Sequence, residues 1–146
     1  MSSSEAAASG EVIRTRKHYD PEGHRRDLRY PEVPEPLEVG TYDNHTHLEI
    51  ADGDNPLTVA EQLDLAKRAG MLGAVQVGVT LDSSIWSAQV AEHEPMLLAA
   101  VAIHPNEAPR YESRAQLDEA ISKIALSSLS FSSTVLARAN EVIWEI

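Results

Sequence analysis

The chain contains no cysteine among its 146 residues. This absence excludes disulfide bonds and metal sites built from thiolate ligands, and it is compatible with a reducing compartment. No run is long and apolar enough to cross a membrane. The Ser/Ala-rich residues 1–10 also lack the apolar segment that a secretory signal requires. We therefore expect a cytoplasmic chain with no membrane partner.

Basic residues are scarce, because 12 Lys and Arg stand against 23 Asp and Glu, giving a formal net charge of -11. Proteins that coat nucleic acid are usually basic, since neutralising phosphates supplies much of their affinity. The composition argues against that class. It does not exclude a phosphoester hydrolase in which metal ions, rather than lysines, attract the phosphate. Local basic clusters at residues 14–17 and 24–26 either contact a substrate or are solvated charges.

The organisation of the chain changes near residue 38. Residues 1–38 carry four prolines and many charges with little periodicity, which predicts an extended or partly disordered arm. Beyond it, apolar runs of strand length alternate with helical patterns. Strands are predicted at about 39–43, 73–79 and 96–103, and helices at about 58–70, 82–94 and from 114 onward. This alternation predicts an α/β fold with parallel strands and right-handed crossovers.

Local signals predict where the helices begin and end. Thr58 and Glu61 have the spacing of a capping box, and Gly70 is placed to end the same helix. For the second helix, three consecutive residues are candidate N-caps, namely Asp82, Ser83 and Ser84.

The most informative motif lies at the end of the first predicted strand. It reads Asp43-Asn44-His45-Thr46-His47-Leu48. Alternate side chains of a strand point to one face, so the two imidazoles are expected to aim at one point, and imidazole is a common ligand of divalent metals. The alternative is a pair of surface histidines in a turn. Chemistry collects at the carboxyl ends of parallel strands, and His104 also follows a predicted strand, which favours the metal site.

Three segments together resemble the TatD-related metal-dependent hydrolases, a branch of the amidohydrolase superfamily. They are residues 43–48, residues 78–84 (GVTLDSS) and residues 101–106 (VAIHPN), and the likeness covers roughly residues 39–125. The resemblance implies parallel (β/α) units of a TIM-type barrel and one or two divalent ions (Mg, Mn or Zn). It also implies hydrolysis of phosphodiesters, often at DNA ends.

The resemblance also implies roles for single residues. His45 and His47 match the first metal ligands, and His104 matches a histidine that we assign to substrate binding. Asp43 either accepts an imidazole N–H or bonds backbone donors, and both alternatives stay open. Glu49 stands where the family often has aspartate, and it is assigned no role. No catalytic residue is assigned.

The match is incomplete, because a barrel of this kind needs about 250 residues and eight strands. Residues 39–126 supply three predicted (β/α) units, so we expect a barrel truncated after about three units. Residues 127–146 form an atypical tail with apolar residues at helical spacing, namely Val135, Leu136, Ala139, Val142, Ile143 and Ile146. The family's later ligands have no matching motif in this sequence.

Function follows from these expectations. Catalytic metal centres normally have at least three protein ligands, so two imidazoles predict impaired activity. Open sheet edges favour self-association. The leading hypothesis is a TatD-like hydrolase of the DNase type. The alternatives are a non-catalytic remnant or interaction module, and another hydrolase of the amidohydrolase superfamily.

Overall fold

The fold is known from a computed structural model that describes residues 12–52, 55–129 and 135–138. The strands are β1 (Arg14–Arg16), β2 (Thr41–Thr46), β3 (Ile50–Asp52), β4 (Met71–Val77), β5 (Leu97–Val101) and β6 (Val135–Arg138). The helices are α1 (Val59–Arg68), α2 (Leu81–His93) and α3 (Arg114–Leu129), with a short 3-10 helix at Ala108–Arg110. No helix in these ranges is both long enough and apolar enough to span a bilayer.

The main sheet has four strands in the order β2-β4-β5-β6, and every neighbouring pair is parallel. Helices α1, α2 and α3 lie in the three connections between successive strands of this sheet. The prediction of an α/β fold with parallel strands is therefore confirmed. The strand order is consistent with a segment of a TIM-type barrel, although the described strands do not close into one.

The hydrophobic core is shared by the helices and β5. Trp86 of α2 is fully buried, as are Val59 of α1 and Leu97 of β5. Leu117 and Ile124 of α3 belong to the same cluster. These side chains belong to one buried cluster that joins the three helices to β5.

The end signals of α1 and the C-terminal end of α2 are as predicted, whereas the N-cap of α2 is not. The side chains of Thr58 and Glu61 form a reciprocal capping box, and Gly70 has a φ of 92°, which favours glycine. The N-cap of α2 is Thr80, not any of the three predicted residues. Ser83 is the third residue of that helix, and its hydroxyl accepts from the Thr80 backbone N–H at 2.9 Å. The serine thus completes a capping box instead of starting one.

The C-terminal prediction needs correction. Residues 135–138 form strand β6 beside β5 rather than part of a helix, and α3 runs through the predicted boundary at residue 126 to Leu129. Short apolar runs do not distinguish the two structures by periodicity alone, and the edge of β5 offers unpaired backbone groups to a parallel strand. A fourth parallel strand therefore follows the three predicted units. The helix predicted over 139–146 lies outside the described residues.

The N-terminal arm contributes one small sheet. Strand β1 pairs in parallel with β3, with Arg14 opposite Ile50, and an isolated antiparallel bridge joins Tyr19 and Arg25. Leu37 donates its backbone N–H to the Ala69 carbonyl at 3.1 Å, just after α1. Both β1 and Leu37 therefore bond the arm to the rest of the fold, and residues 1–11 of the arm lie outside the described ranges.

Candidate metal centre

A β-bulge shapes the end of β2. Asp43 lies opposite Ala74 and Thr46 lies opposite Gln76, so β2 advances three residues while β4 advances two. Asp43 Oδ1 accepts the backbone N–H of His45 at 2.9 Å. Asp43 was expected to bond either an imidazole N–H or a backbone donor, and this contact is to a backbone donor. Bulges redirect side chains near functional sites, and this one carries His45 and leads directly into His47.

The two histidine rings lie against each other. Their Nε2 atoms are 3.2 Å apart, and the ring centroids are 5.0 Å apart with an interplanar angle of 75°. The His47 side chain is 34% exposed, and His45 is exposed. The structure thus brings the two nitrogens to one point that solvent can reach.

A backbone carbonyl fixes the tautomer of His47. Its Nδ1 lies 2.9 Å from the Val77 carbonyl oxygen at the end of β4. Since a carbonyl oxygen only accepts, Nδ1 must carry the proton, which leaves a lone pair on Nε2 of the neutral ring. This is the arrangement found for metal-binding histidines, whose second nitrogen donates to a carbonyl or carboxylate.

His104 has the opposite tautomer. Its Nδ1 accepts the backbone N–H of Asn106 at 3.1 Å, so in the neutral ring the proton sits on Nε2. The His104 backbone N–H donates to the Val79 carbonyl at 2.8 Å, which places this exposed residue at the same sheet edge as the end of β4. Its free Nε2–H is suited to donate a hydrogen bond rather than to bind a metal.

The histidine pair fits one divalent ion. Two imidazole nitrogens that each bind one zinc ion at about 2.0–2.1 Å are separated by roughly 3–3.5 Å, and the observed 3.2 Å lies in that range. Within the described ranges, no group of three or more His, Cys, Asp or Glu side chains is arranged to hold a metal. In the part of the chain that the structure describes, no third such side chain joins the histidine pair, and its role as a pair of metal ligands stays a prediction.

Glu49 is a residue that the sequence reasoning left without a role. It is only 2% exposed, and its Oε2 accepts from Gln76 Nε2 at 2.7 Å. Its Oε1 is buried without a hydrogen bond and lies 3.5 Å from His47 Nδ1. A buried carboxylate oxygen in this state needs an explanation, because buried polar atoms are nearly always paired.

Gln76 ties this carboxylate to the rest of the fold. The side chain is fully buried in β4. Its Oε1 accepts the Leu48 backbone N–H at 2.7 Å, and its Nε2 donates to Ser87 Oγ of α2 at 3.1 Å as well as to Glu49. One signal could have revealed the network: Gln76 is the one polar side chain in the apolar run of residues 73–79 (GAVQVGV).

The basic cluster at residues 24–26 lies in the arm. Two of its residues, Arg25 and Arg26, line a surface pocket together with His18, Asp27, Leu28 and Arg29. The Arg29 guanidinium donates to both carboxylate oxygens of Asp27, at 2.9 and 2.6 Å, and holds the pKa of that carboxyl well below its usual range. Substrate contact by this cluster stays a prediction.

Comparison with known proteins gives two matches. The sequence model of a family described as TatD related DNase matches residues 42–131. A curated relative from Mycobacterium tuberculosis, described as an uncharacterized metal-dependent hydrolase TatD, is 33% identical over 81 residues, which are 54% of this chain. Those residues span 31% of the relative, so the chain covers about a third of its length. No solved structure matches.

Proposed function

The chain belongs to the TatD related DNase family, and we propose that it serves metal-dependent hydrolysis of phosphodiester bonds, with DNA ends as the substrate class. The family match supports a metal-dependent hydrolase, and the related protein is described in the same words. The observation that carries the proposal is the histidine pair. Two Nε2 atoms lie 3.2 Å apart, and a carbonyl holds one ring in the ligand tautomer.

Each residue of the site has a distinct part in this proposal. His45 and His47 hold the ion through Nε2. A divalent ion, when bound, polarises a phosphoryl oxygen and lowers the pKa of its water. His104 donates its Nε2–H to a phosphate oxygen, because the Asn106 amide occupies Nδ1. Asp43 keeps the strand end in its bulged form through the His45 amide.

We propose that these 146 residues alone hydrolyse phosphodiesters at a low rate. Catalytic zinc sites usually combine three protein ligands with a water, and the described residues arrange two. No described carboxylate lies beside the His45 and His47 Nε2 atoms to take a proton from that water. We therefore propose that the ion binds weakly and that phosphodiester turnover is slow.

A metal titration tests the site first. Calorimetry with ZnCl₂ on the purified chain is expected to show one ion bound, with at least about tenfold weaker binding in His45→Ala and in His47→Ala. His93→Ala is the matched control, since its Nδ1 bonds the Gln89 carbonyl at the end of α2, away from the pair. Absence of zinc binding by the wild-type chain would refute the proposed function.

A substrate assay tests the reaction. An end-labelled DNA oligonucleotide is incubated with the chain and Mg²⁺, Mn²⁺ or Zn²⁺, and an ester and an amide substrate are tested in parallel. Slow, metal-dependent release of nucleotides that His45→Ala abolishes is the expected result. Rapid turnover would contradict the proposed low rate. Cleavage of the ester or amide with intact DNA would favour another hydrolase of the amidohydrolase superfamily.

A further inference from the structure

We propose that Glu49 is a positioning residue for His47, and that its Oε1 accepts the His47 Nδ1–H when Nε2 binds a divalent ion. The inference rests on the proposed function and assigns a role to a side chain outside the histidine pair. It starts from an unusual atom: Oε1 is buried, lacks a hydrogen bond, and lies 3.5 Å from the ring nitrogen.

The direction of Oε1 is fixed by its neighbours. Gln76 Nε2 holds the other carboxylate oxygen at 2.7 Å, and the Gln76 amide is itself held by the Leu48 N–H and Ser87 Oγ. The carboxylate cannot turn away from His47 without losing the Gln76 bond. Its free oxygen is thus kept just beyond hydrogen-bond distance of the imidazole N–H.

The same N–H has two acceptors within reach. Val77 O is nearer, at 2.9 Å, and Glu49 Oε1 is farther, at 3.5 Å. A neutral carbonyl is sufficient to set the tautomer. An ionised acceptor makes the stronger bond and raises the basicity of the ligating nitrogen. Carbonyl and carboxylate therefore have separable effects: one selects the tautomer, and the other strengthens metal binding.

The buried negative charge of Glu49 favours a cation on the far side of the His47 imidazole. Burying a carboxylate is costly unless a positive charge or several hydrogen bonds compensate it. No Lys or Arg pairs with Glu49 among the ion pairs of the described residues, and its one charge-capable neighbour there is His47. A divalent ion on Nε2 would place positive charge on the far side of the imidazole.

The test compares three variants of the full chain. Glu49→Gln keeps the shape of the side chain but removes the ionised acceptor, and zinc affinity is expected to fall about 10- to 100-fold. Glu49→Asp keeps a carboxylate and is expected to retain more affinity than Glu49→Gln. Glu119→Gln is the charge control, because Glu119 pairs with Lys123 on the exposed face of α3. It is expected to bind zinc like the wild type.

NMR supplies a readout that does not depend on whether a variant folds. In wild-type chain labelled with ¹³C-glutamate and ¹⁵N-histidine, zinc is expected to shift the Glu49 side-chain carboxyl resonance and the His47 Nδ1 resonance together. If zinc shifts both histidines but leaves the Glu49 carboxyl unchanged, the role of Glu49 is refuted while the metal site stands. A folded Glu49→Gln variant with wild-type affinity would have the same meaning. If zinc shifts neither histidine, the proposed function fails, and this inference fails with it.

Discussion

Replacing Gln76 with leucine should destabilise the protein although it makes β4 more apolar. The amide is fully buried and makes one hydrogen bond to each of three groups, the Leu48 N–H, Glu49 Oε2 and Ser87 Oγ. Ser87 keeps its own bond to the Ser83 carbonyl at 2.7 Å. The other two groups stay buried without these partners, so they determine the cost.

The size of the effect follows from these two groups. A buried donor or acceptor left unpaired costs about 1–3 kcal/mol, and more if it is charged. Leu48 N–H and the Glu49 carboxylate together therefore cost roughly 3–6 kcal/mol. Burying a leucine side chain returns about 1.5–3 kcal/mol. Taking the lower and the upper ends of the two ranges together, we expect a net loss of about 1.5–3 kcal/mol in the free energy of unfolding, a large part of the stability of a domain this size.

Urea denaturation followed by circular dichroism measures this loss. The control is Gln116→Leu at an exposed position of α3, where the lost bonds to Glu112 are open to solvent and a change below about 1 kcal/mol is expected. The double variant Glu49→Leu/Gln76→Leu removes the stranded carboxylate. It should therefore lose less stability than the two single variants added together, with a coupling of about 1–3 kcal/mol. Gln76→Leu within about 0.5 kcal/mol of wild type would show that this network does not stabilise the fold.

Three further predictions concern other parts of the chain. Gly78→Ala should lower the thermal midpoint measured by calorimetry, because an added Cβ would lie 2.4 Å from Ser84 Cα at the start of α2; an unchanged midpoint would contradict this packing. The capping box lowers the pKa of Glu61 through bonds from the Thr58 backbone and hydroxyl. The ionised Glu61 therefore stabilises the folded chain fully above the ordinary glutamate pKa, and this stabilisation is lost as the pH falls through the lowered pKa. Thr58→Ala removes the hydroxyl bond but keeps the backbone N–H, so an NMR titration should show this pKa rising only part of the way to its ordinary value, and an unchanged pKa would assign the effect to the backbone bond alone. Self-association through β2, the edge strand of the described sheet, should appear in light scattering and weaken in Tyr42→Asp, since Tyr42 is 70% exposed on that strand; a wild-type chain that is monomeric at all concentrations would exclude it.

The sequence predicted those parts of the fold that depend on local chemistry. The capping box at Thr58 is set by residues three positions apart, and the structure contains it. The order of strands and helices follows from hydrophobic periodicity, and the parallel sheet has that order. Strand β6 could not be predicted in the same way, because four residues carry no distinguishing period. Whether they form a strand depends on the free edge of β5, which is a long-range property.

The candidate site likewise has a part that local sequence predicts and a part that depends on contacts between distant residues. The histidine motif is visible in six consecutive residues, and the structure brings its two Nε2 atoms together. Glu49 and Gln76 are 27 residues apart in the chain, and their contact exists only because β4 packs beside β2. Sequence spacing contains no information on such a pair. The tautomers of His47 and His104 were equally hidden, because backbone groups of other residues set them.

The bulge at the end of β2 has a consequence for anyone who wishes to transplant this motif. On a regular strand, residues two positions apart share a face but stand side by side, pointing outward in parallel. In this chain β2 has one extra residue between Asp43 and Thr46, and the Nε2 atoms of His45 and His47 lie 3.2 Å apart. A designed scaffold that copies only the residues His-Thr-His-Leu onto a regular strand would lack the backbone irregularity that accompanies the 3.2 Å separation of the Nε2 atoms. The irregular step in the backbone would have to be copied with them.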